Sequence, residues 1–218
     1  MRDLIHGGAI GDPDAAEFRL HVDLMTWCTV TSHRLSPHEG GVLYDLGSQT
    51  LDLASYVFDA DPCSVEAETS SHRWQGDHVR LHVGFPGDLR VCCDLAYSDR
   101  TCERVTVWGP QGRLRLDDPN MAIHLDRGRS RTPWPIARGR DLLLFGYRGV
   151  RRASSMAQYS IRAALTVFLR AVRRGDVFSP GFDDAAKNAM WLEAASRAPR
   201  RRAEGRLPPD ARGRGMAL

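Results

Sequence analysis

Residues 40–70 read GGVLYDLGSQTLDLASYVFDADPCSVEAETS, and the spacing of their apolar residues changes within the stretch. Up to Phe58 the apolar positions recur at helical period, which predicts a helix over 40–58. At about 100° per residue, Leu43, Leu46, Thr50, Leu53 and Val57 share one arc and are expected to face a sheet. Asp45, Ser48, Gln49, Asp52 and Tyr56 gather on another arc. From Cys63 onward the period drops to two, and Ser64 to Ser70 reads as the first of a series of short strands.

The series continues with His78 to Gly84, Leu89 to Leu95, Arg104 to Trp108 and Gly112 to Leu116, separated by Gly, Pro or Asp turns. Phe85-Pro86-Gly87-Asp88 is a strong turn, so its flanking strands should pair antiparallel. Ala122 to Leu125 and Leu142 to Tyr147 are expected as a further pair, with the Arg-, Gly- and Pro-rich segment Asp126 to Arg140 as an arm or loop between them. Upstream, Met1 to Pro13 reads as a helix end and turn, and Ala16 to Thr31 as a long strand. Helices are expected over Ser155 to Arg173, with Ile161, Leu165, Phe168, Leu169 and Val172 as its stripe, and over Phe182 to Arg197. The reading is an α+β domain over residues 1–198: an open, mainly antiparallel sheet with helices packed on one face. Residues 199–218 form a basic tail without apolar period.

Composition narrows the classes. The 218 residues are 42% hydrophobic and 26% charged, as in a globular protein. No apolar run approaches the ~20 residues of a membrane helix, and the first residues lack the apolar core of a secretory leader, so a cytoplasmic location is expected. The formal charge of +3 is misleading, because residues 197–218 hold seven Arg against Glu204 and Asp210. The remaining chain is slightly acidic, which gives no electrostatic footprint for nucleic acid. Five cysteines without a CxxC pair point to reduced thiols, and no spacing suggests a metal site. No glycine-rich phosphate turn follows a strand, and neither a Walker sequence nor a G-x-S-x-G elbow is present.

The polar arc of the 40–58 helix is therefore the best candidate site. Asp45 is expected as a general base, with His33 and His38 in the preceding loop as further acid/base groups. Gln49, Asp52 and Tyr56 would extend the arc as substrate contacts. The strands place apolar residues on both faces, such as Val91 beside Cys92 and Val105 and Val107 beside Trp108, and the sheet face not covered by helices is expected to pair with a second copy of the chain as a homodimer or higher even oligomer.

Residues 40–52, GGVLYDLGSQTLD, resemble the G-G-x-L-x-D-x-G-x-H-x-x-D helix of the Gfo/Idh/MocA family (glucose–fructose oxidoreductase, inositol dehydrogenase, rhizopine catabolism). Leu4 to Pro13, Trp108-Gly109-Pro110-Gln111-Gly112 and Gly181-Phe182-Asp183-Asp184-Ala185 resemble that family's interdomain segment, strand turn and last-helix start, in the same order. The resemblance implies the family's C-terminal, substrate-binding domain without its N-terminal Rossmann domain, and hence no bound NAD(P) and no cofactor. Asp45 matches the family Asp, whereas Gln49 stands where the family has His, and an amide does not exchange protons near neutral pH as imidazole does. The expected function is a cofactor-free acid/base enzyme of specialised metabolism, of isomerase, lyase or cyclase type. The alternative is a noncatalytic subunit or binding module that partners a full-length NAD(P)-dependent oxidoreductase.

Overall fold

The computed structural model describes residues 1–26, 34, 36, 40–117, 122–127, 130–134, 154–177 and 181–197. After a short helix α1 (Arg2–His6), strand β1 (Ala15–Asp23) enters the centre of the sheet. Helix α2 (Gly41–Phe58) follows, then β2 (Ser64–Ser70), β3 (His78–Gly84), β4 (Arg90–Ser98), β5 (Cys102–Gly109), β6 (Gly112–Asp117), β7 (Ala122–Arg127) and β8 (Ser130–Trp134). Helices α3 (Ser154–Arg174) and α4 (Phe182–Arg197) complete the described elements. The eight strands form one sheet in the order β2-β3-β4-β1-β5-β6-β7-β8. Every pairing is antiparallel except β1 with β4, which run parallel.

Register sorts the side chains cleanly. Phe18 lies between Cys93 and Val105, and Ala16 between Val91 and Val107. These residues, with Leu81 and Leu95, are buried in the core beneath the helices. α2 packs on β1, β3 and β4, and α4 packs on α2 and β2. Gly47 marks the crossing, since a Cβ there would sit 3.0 Å from Leu192 Cδ2 and 3.7 Å from Leu81 Cδ1.

The other face is polar. Arg104 pairs with Asp117 at 2.6 Å, Arg113 with Asp126 at 2.8 Å and Arg19 with Glu17 at 2.7 Å. Val91, Val105 and Val107 turn toward the core, and register places Cys92, Ala96 and Trp108 on the outer face among these ion pairs.

Several boundaries differ from the sequence expectation. β1 stops at Asp23 rather than Thr31, because Asp23 Oδ1 accepts the Met25 N–H at 2.9 Å and its carbonyl accepts from Thr26 Oγ1 at 2.8 Å. That local turn replaces the ladder. β8 lies inside the segment expected as a loop and pairs with β7, while Leu142 to Tyr147 lies outside the described residues, as does the tail. Leu53 is 42% exposed rather than facing the sheet; Val42, Leu51 and Ala54 are buried instead. The helix is covered on two sides, by sheet and by α4, which turns its buried arc away from Leu53. The apolar stripe of α3 is half-exposed at Leu165, Leu169 and Val172, and the sheet surface it was expected to cover is taken by α2 and α4.

The hairpin between β5 and β6 shows why its Gly-x-x-Gly pattern is needed. A Cβ on Gly109 would fall 2.5 Å from the Ile10 carbonyl oxygen, and Gly112 adopts φ 150° with Asp126 backbone against it. Two backbones approach too closely for side chains there.

Candidate functional site

The site grows from the start of α2. Gly41 adopts φ 59°, in the left-handed region that favours glycine, and this turns the chain sharply into the helix. Asp45 follows on the second turn. Its Oδ2 accepts a hydrogen bond from the Tyr97 hydroxyl at 2.9 Å and lies 3.4 Å from Arg34 Nε. The three groups come from α2, β4 and the segment preceding α2, and the Asp45 and Arg34 side chains are mostly buried.

Tyr97 is held from behind. Its N–H donates to the Asp77 carbonyl at 2.9 Å. The Asp77 carboxylate in turn accepts the N–H groups of His72, Arg73 and Trp74 at 2.6 to 2.8 Å, closing the β2–β3 turn. Burial would raise the Asp77 pKa, but the Trp74, His72 and Arg73 donors, with nearby His72, outweigh it and hold the carboxyl below its usual range. Burial first, then the hydrogen bond and charge of Asp45, push the Tyr97 phenol well above its ordinary value; Arg34 opposes this only partly. Tyr97 therefore remains a protonated donor at neutral pH, and Asp45 is the acceptor of the pair.

Along α2, Gln49, Asp52 and Tyr56 are exposed, whereas Asp45 is mostly buried and turned toward Tyr97 of β4. Gln49 Nε2 donates to the Asp45 backbone carbonyl at 3.0 Å, so in this geometry its amide serves the helix. Tyr56 is 59% exposed, with the Arg2 guanidinium 4.8 Å from its ring centre, and Asp52 is exposed. His33 and His38 lie outside the described residues. Arg34, which lies between them in sequence, is a residue the sequence reading did not single out. A cavity of about 70 Å³ beside Gly40, Gly41, Thr69 and Ser196 has room for a few waters at most. A larger recess of about 490 Å³ lies near Cys63, Phe85 and Arg90, at the other end of β4 from Tyr97.

A second polar constellation lies on the outer sheet face. Asp94 accepts from His78 Nε2 at 2.7 Å, His21 Nε2 at 3.2 Å and Arg19 Nε at 3.0 Å. His78 Nδ1 is 2.9 Å from Ser70 Oγ. Burial opposes ionisation of Asp94, yet the hydrogen bonds and charges of His21 and His78 hold its carboxyl far below the ordinary range. Spacing gave no sign of this group, whose members are brought together only by β-pairing.

An open, mainly antiparallel sheet, backed by a glycine-entered helix that presents a carboxylate on its second turn, defines an α+β domain. The chain belongs to the GFO/IDH/MocA C-terminal domain family, whose profile matches residues 1–115, the part that holds Arg34, Asp45 and Tyr97. Among similar solved structures, an oxidoreductase from Agrobacterium radiobacter in complex with NAD+, L-tartaric acid and magnesium superposes with a TM-score of 0.67 at 19% identity, covering 90% of this chain and 58% of its own. An aldose–aldose oxidoreductase from Caulobacter crescentus complexed with glycerol gives 0.67 at 23% identity, over 90% and 56%. A 3-ketoreductase from Actinomadura kijaniata in complex with TDP-benzene and NADP gives 0.62 at 15%, over 91% and 56%. This chain thus spans little more than half the length of these enzymes, and the likeness is one of fold. No curated protein matches the sequence. No helix among the described residues is long and apolar enough to cross a membrane.

Proposed function

We propose that this domain binds a small hydroxylated molecule along the polar arc of α2 and performs acid/base chemistry on it, of isomerase, lyase or cyclase type, without a nicotinamide held by the domain itself. The observation that carries the reading is the Tyr97–Asp45–Arg34 cluster at the head of that arc. Asp45 takes the substrate proton, and the Tyr97 hydroxyl and Arg34 guanidinium fix the orientation of its carboxylate. His33 and His38 are the partners for returning a proton at a second position.

A second reading has its own support. Because the chain spans just over half of solved oxidoreductases, two of which hold NAD+ or NADP, the same arc would complete the substrate side of a nicotinamide-dependent partner. A thermal-shift panel of polyols, hydroxy acids and sugar nucleotides, run on the full chain with and without NADPH, separates the two. Stabilisation by a hydroxylated ligand alone, with proton exchange into that ligand from D2O, supports acid/base chemistry. Asp45→Asn should then slow the exchange by about 100- to 10,000-fold. Stabilisation that requires NADPH and a separate oxidoreductase would overturn it in favour of the partner reading.

A further inference from the structure

We propose that His21, His78 and Asp94 form a binding site for one first-row divalent metal ion of zinc type on the outer face of the sheet. The three side chains come from β1, β3 and β4, and register explains why they meet. His78 and His21 are the two cross-strand partners of Ala96, one on each side of β4, and Asp94 is the next residue on the same face. The small Ala96 side chain leaves room above the strand for two imidazoles. One ligand atom from each residue lies within 4.8 Å of the others. The His78 Nε2–Asp94 and His21 Nε2–Asp94 separations of 2.7 and 3.2 Å already approach the ~3.3 Å between neighbouring ligands around a tetrahedral ion with ~2.0 Å bonds.

The surroundings suit a cation. Ser70 Oγ stands 2.9 Å from His78 Nδ1, the outer-shell position that orients a ligating imidazole. Without metal, His78 Nε2–H donates to Asp94 and Nδ1 accepts from Ser70. With Nε2 of both imidazoles turned to Asp94, each would offer Nε2 to the ion, and His78 Nδ1 would stay with Ser70. Asp94 has two cross-strand arginines, Arg19 and Arg80; Glu17 Oε1 lies 2.7 Å from Arg19 and Glu68 stands opposite Arg80, so these five groups together carry one net negative charge. Two imidazoles select zinc, cobalt or iron over magnesium, which prefers oxygen. The side chains of His21 and His78 keep 25% and 18% of their surface open to water, leaving a coordination position free for a further ligand.

The test uses the full chain, stripped with chelator and titrated calorimetrically with Zn2+, with Co2+ visible absorption reporting the geometry. One equivalent should bind at micromolar or tighter affinity, while Mg2+ should give no saturable heat. His21→Gln and His78→Gln keep a hydrogen-bond donor for Asp94, and each should weaken binding by more than the roughly 10- to 100-fold typical of losing an outer-shell partner. Ser70→Ala should fall within that smaller range and alter the Co2+ spectrum. Absence of saturable Zn2+ binding, preference for Mg2+, or undiminished binding in the His21→Gln, His78→Gln double variant would overturn the proposal. None of these readouts depends on the chemistry at Asp45.

Discussion

Tyr97→Phe removes one oxygen and leaves the buried ring in place, so it isolates the bond that organises the α2 site. The hydroxyl donates to a charged carboxylate at 2.9 Å from a residue only 4% exposed. Bonds to charged groups contribute about 1.5–3 kcal/mol. Asp45 retains Arg34 at 3.4 Å and some access to water, so the lower part of that range applies, about 1.5–2 kcal/mol. For a chain of this length that corresponds to a fall in Tm of roughly 3–8 °C. Urea unfolding with unchanged m-value is the direct measure. In an Asp45→Asn background the same substitution breaks only a neutral bond, costing about 0.5–1.5 kcal/mol, so a double-mutant cycle should show a coupling near 1 kcal/mol. A Tyr97→Phe protein within about 0.5 kcal/mol of the parent, or an equal cost in both backgrounds, would refute the coupling of Asp45 to the sheet.

Asp77→Ala would strip acceptors from three backbone N–H groups and should cost at least about 2–4 kcal/mol by urea unfolding, with Asp77→Asn intermediate. Because the Asp77 pKa is lowered on folding, its contribution is complete above the unfolded value of about 4 and is lost as pH falls below it; unfolding midpoints from pH 7 to pH 3, in chelator, should fall more steeply for the parent than for Asp77→Asn. Gly109→Ala must displace the Ile10 carbonyl and should lower stability by about 1–3 kcal/mol in thermal melts, whereas Gly87→Ala, with open space around it, should cost only its backbone strain. In timed alkylation at pH 8 followed by peptide mass spectrometry, exposed Cys63 should react before Cys92, whose thiol is pushed up by burial to about 11, and buried Cys93 should resist.

Local pattern carried much of the architecture. Ser64–Ser70, His78–Gly84 and Phe182–Arg197 stand where period and turn residues put them, and α2 begins one residue after Gly40. These elements are bounded by glycine, proline and polar turns that act within a few residues. β8 was hidden because Arg, Pro and Gly mask an edge strand, whose side chains need no alternating burial. The site was legible only in half. Asp45 sits on an identifiable helix arc, but Tyr97 and Arg34 reach it through tertiary packing, and Tyr97 reads as one more alternating strand residue. His21, His78 and Asp94 are 57 and 16 residues apart in succession and meet only through the parallel β1–β4 pairing and the β3–β4 hairpin, which no local spacing encodes.

The place of β1 in the strand order bears on how the chain must fold. On one flank, β2, β3 and β4 are joined by short hairpins; on the other, β5 through β8 form a second antiparallel meander. Each can assemble from contacts close in sequence, which is the fast kind of assembly. β1 alone bridges them, with Phe18 wedged between Cys93 and Val105. The final sheet therefore waits on the insertion of a strand whose partners lie some 75 residues further along the chain. Until that strand docks, two half-sheets each expose an unpaired edge and an unfinished core, so the slow step of folding and the greatest exposure to misassembly fall at the same moment.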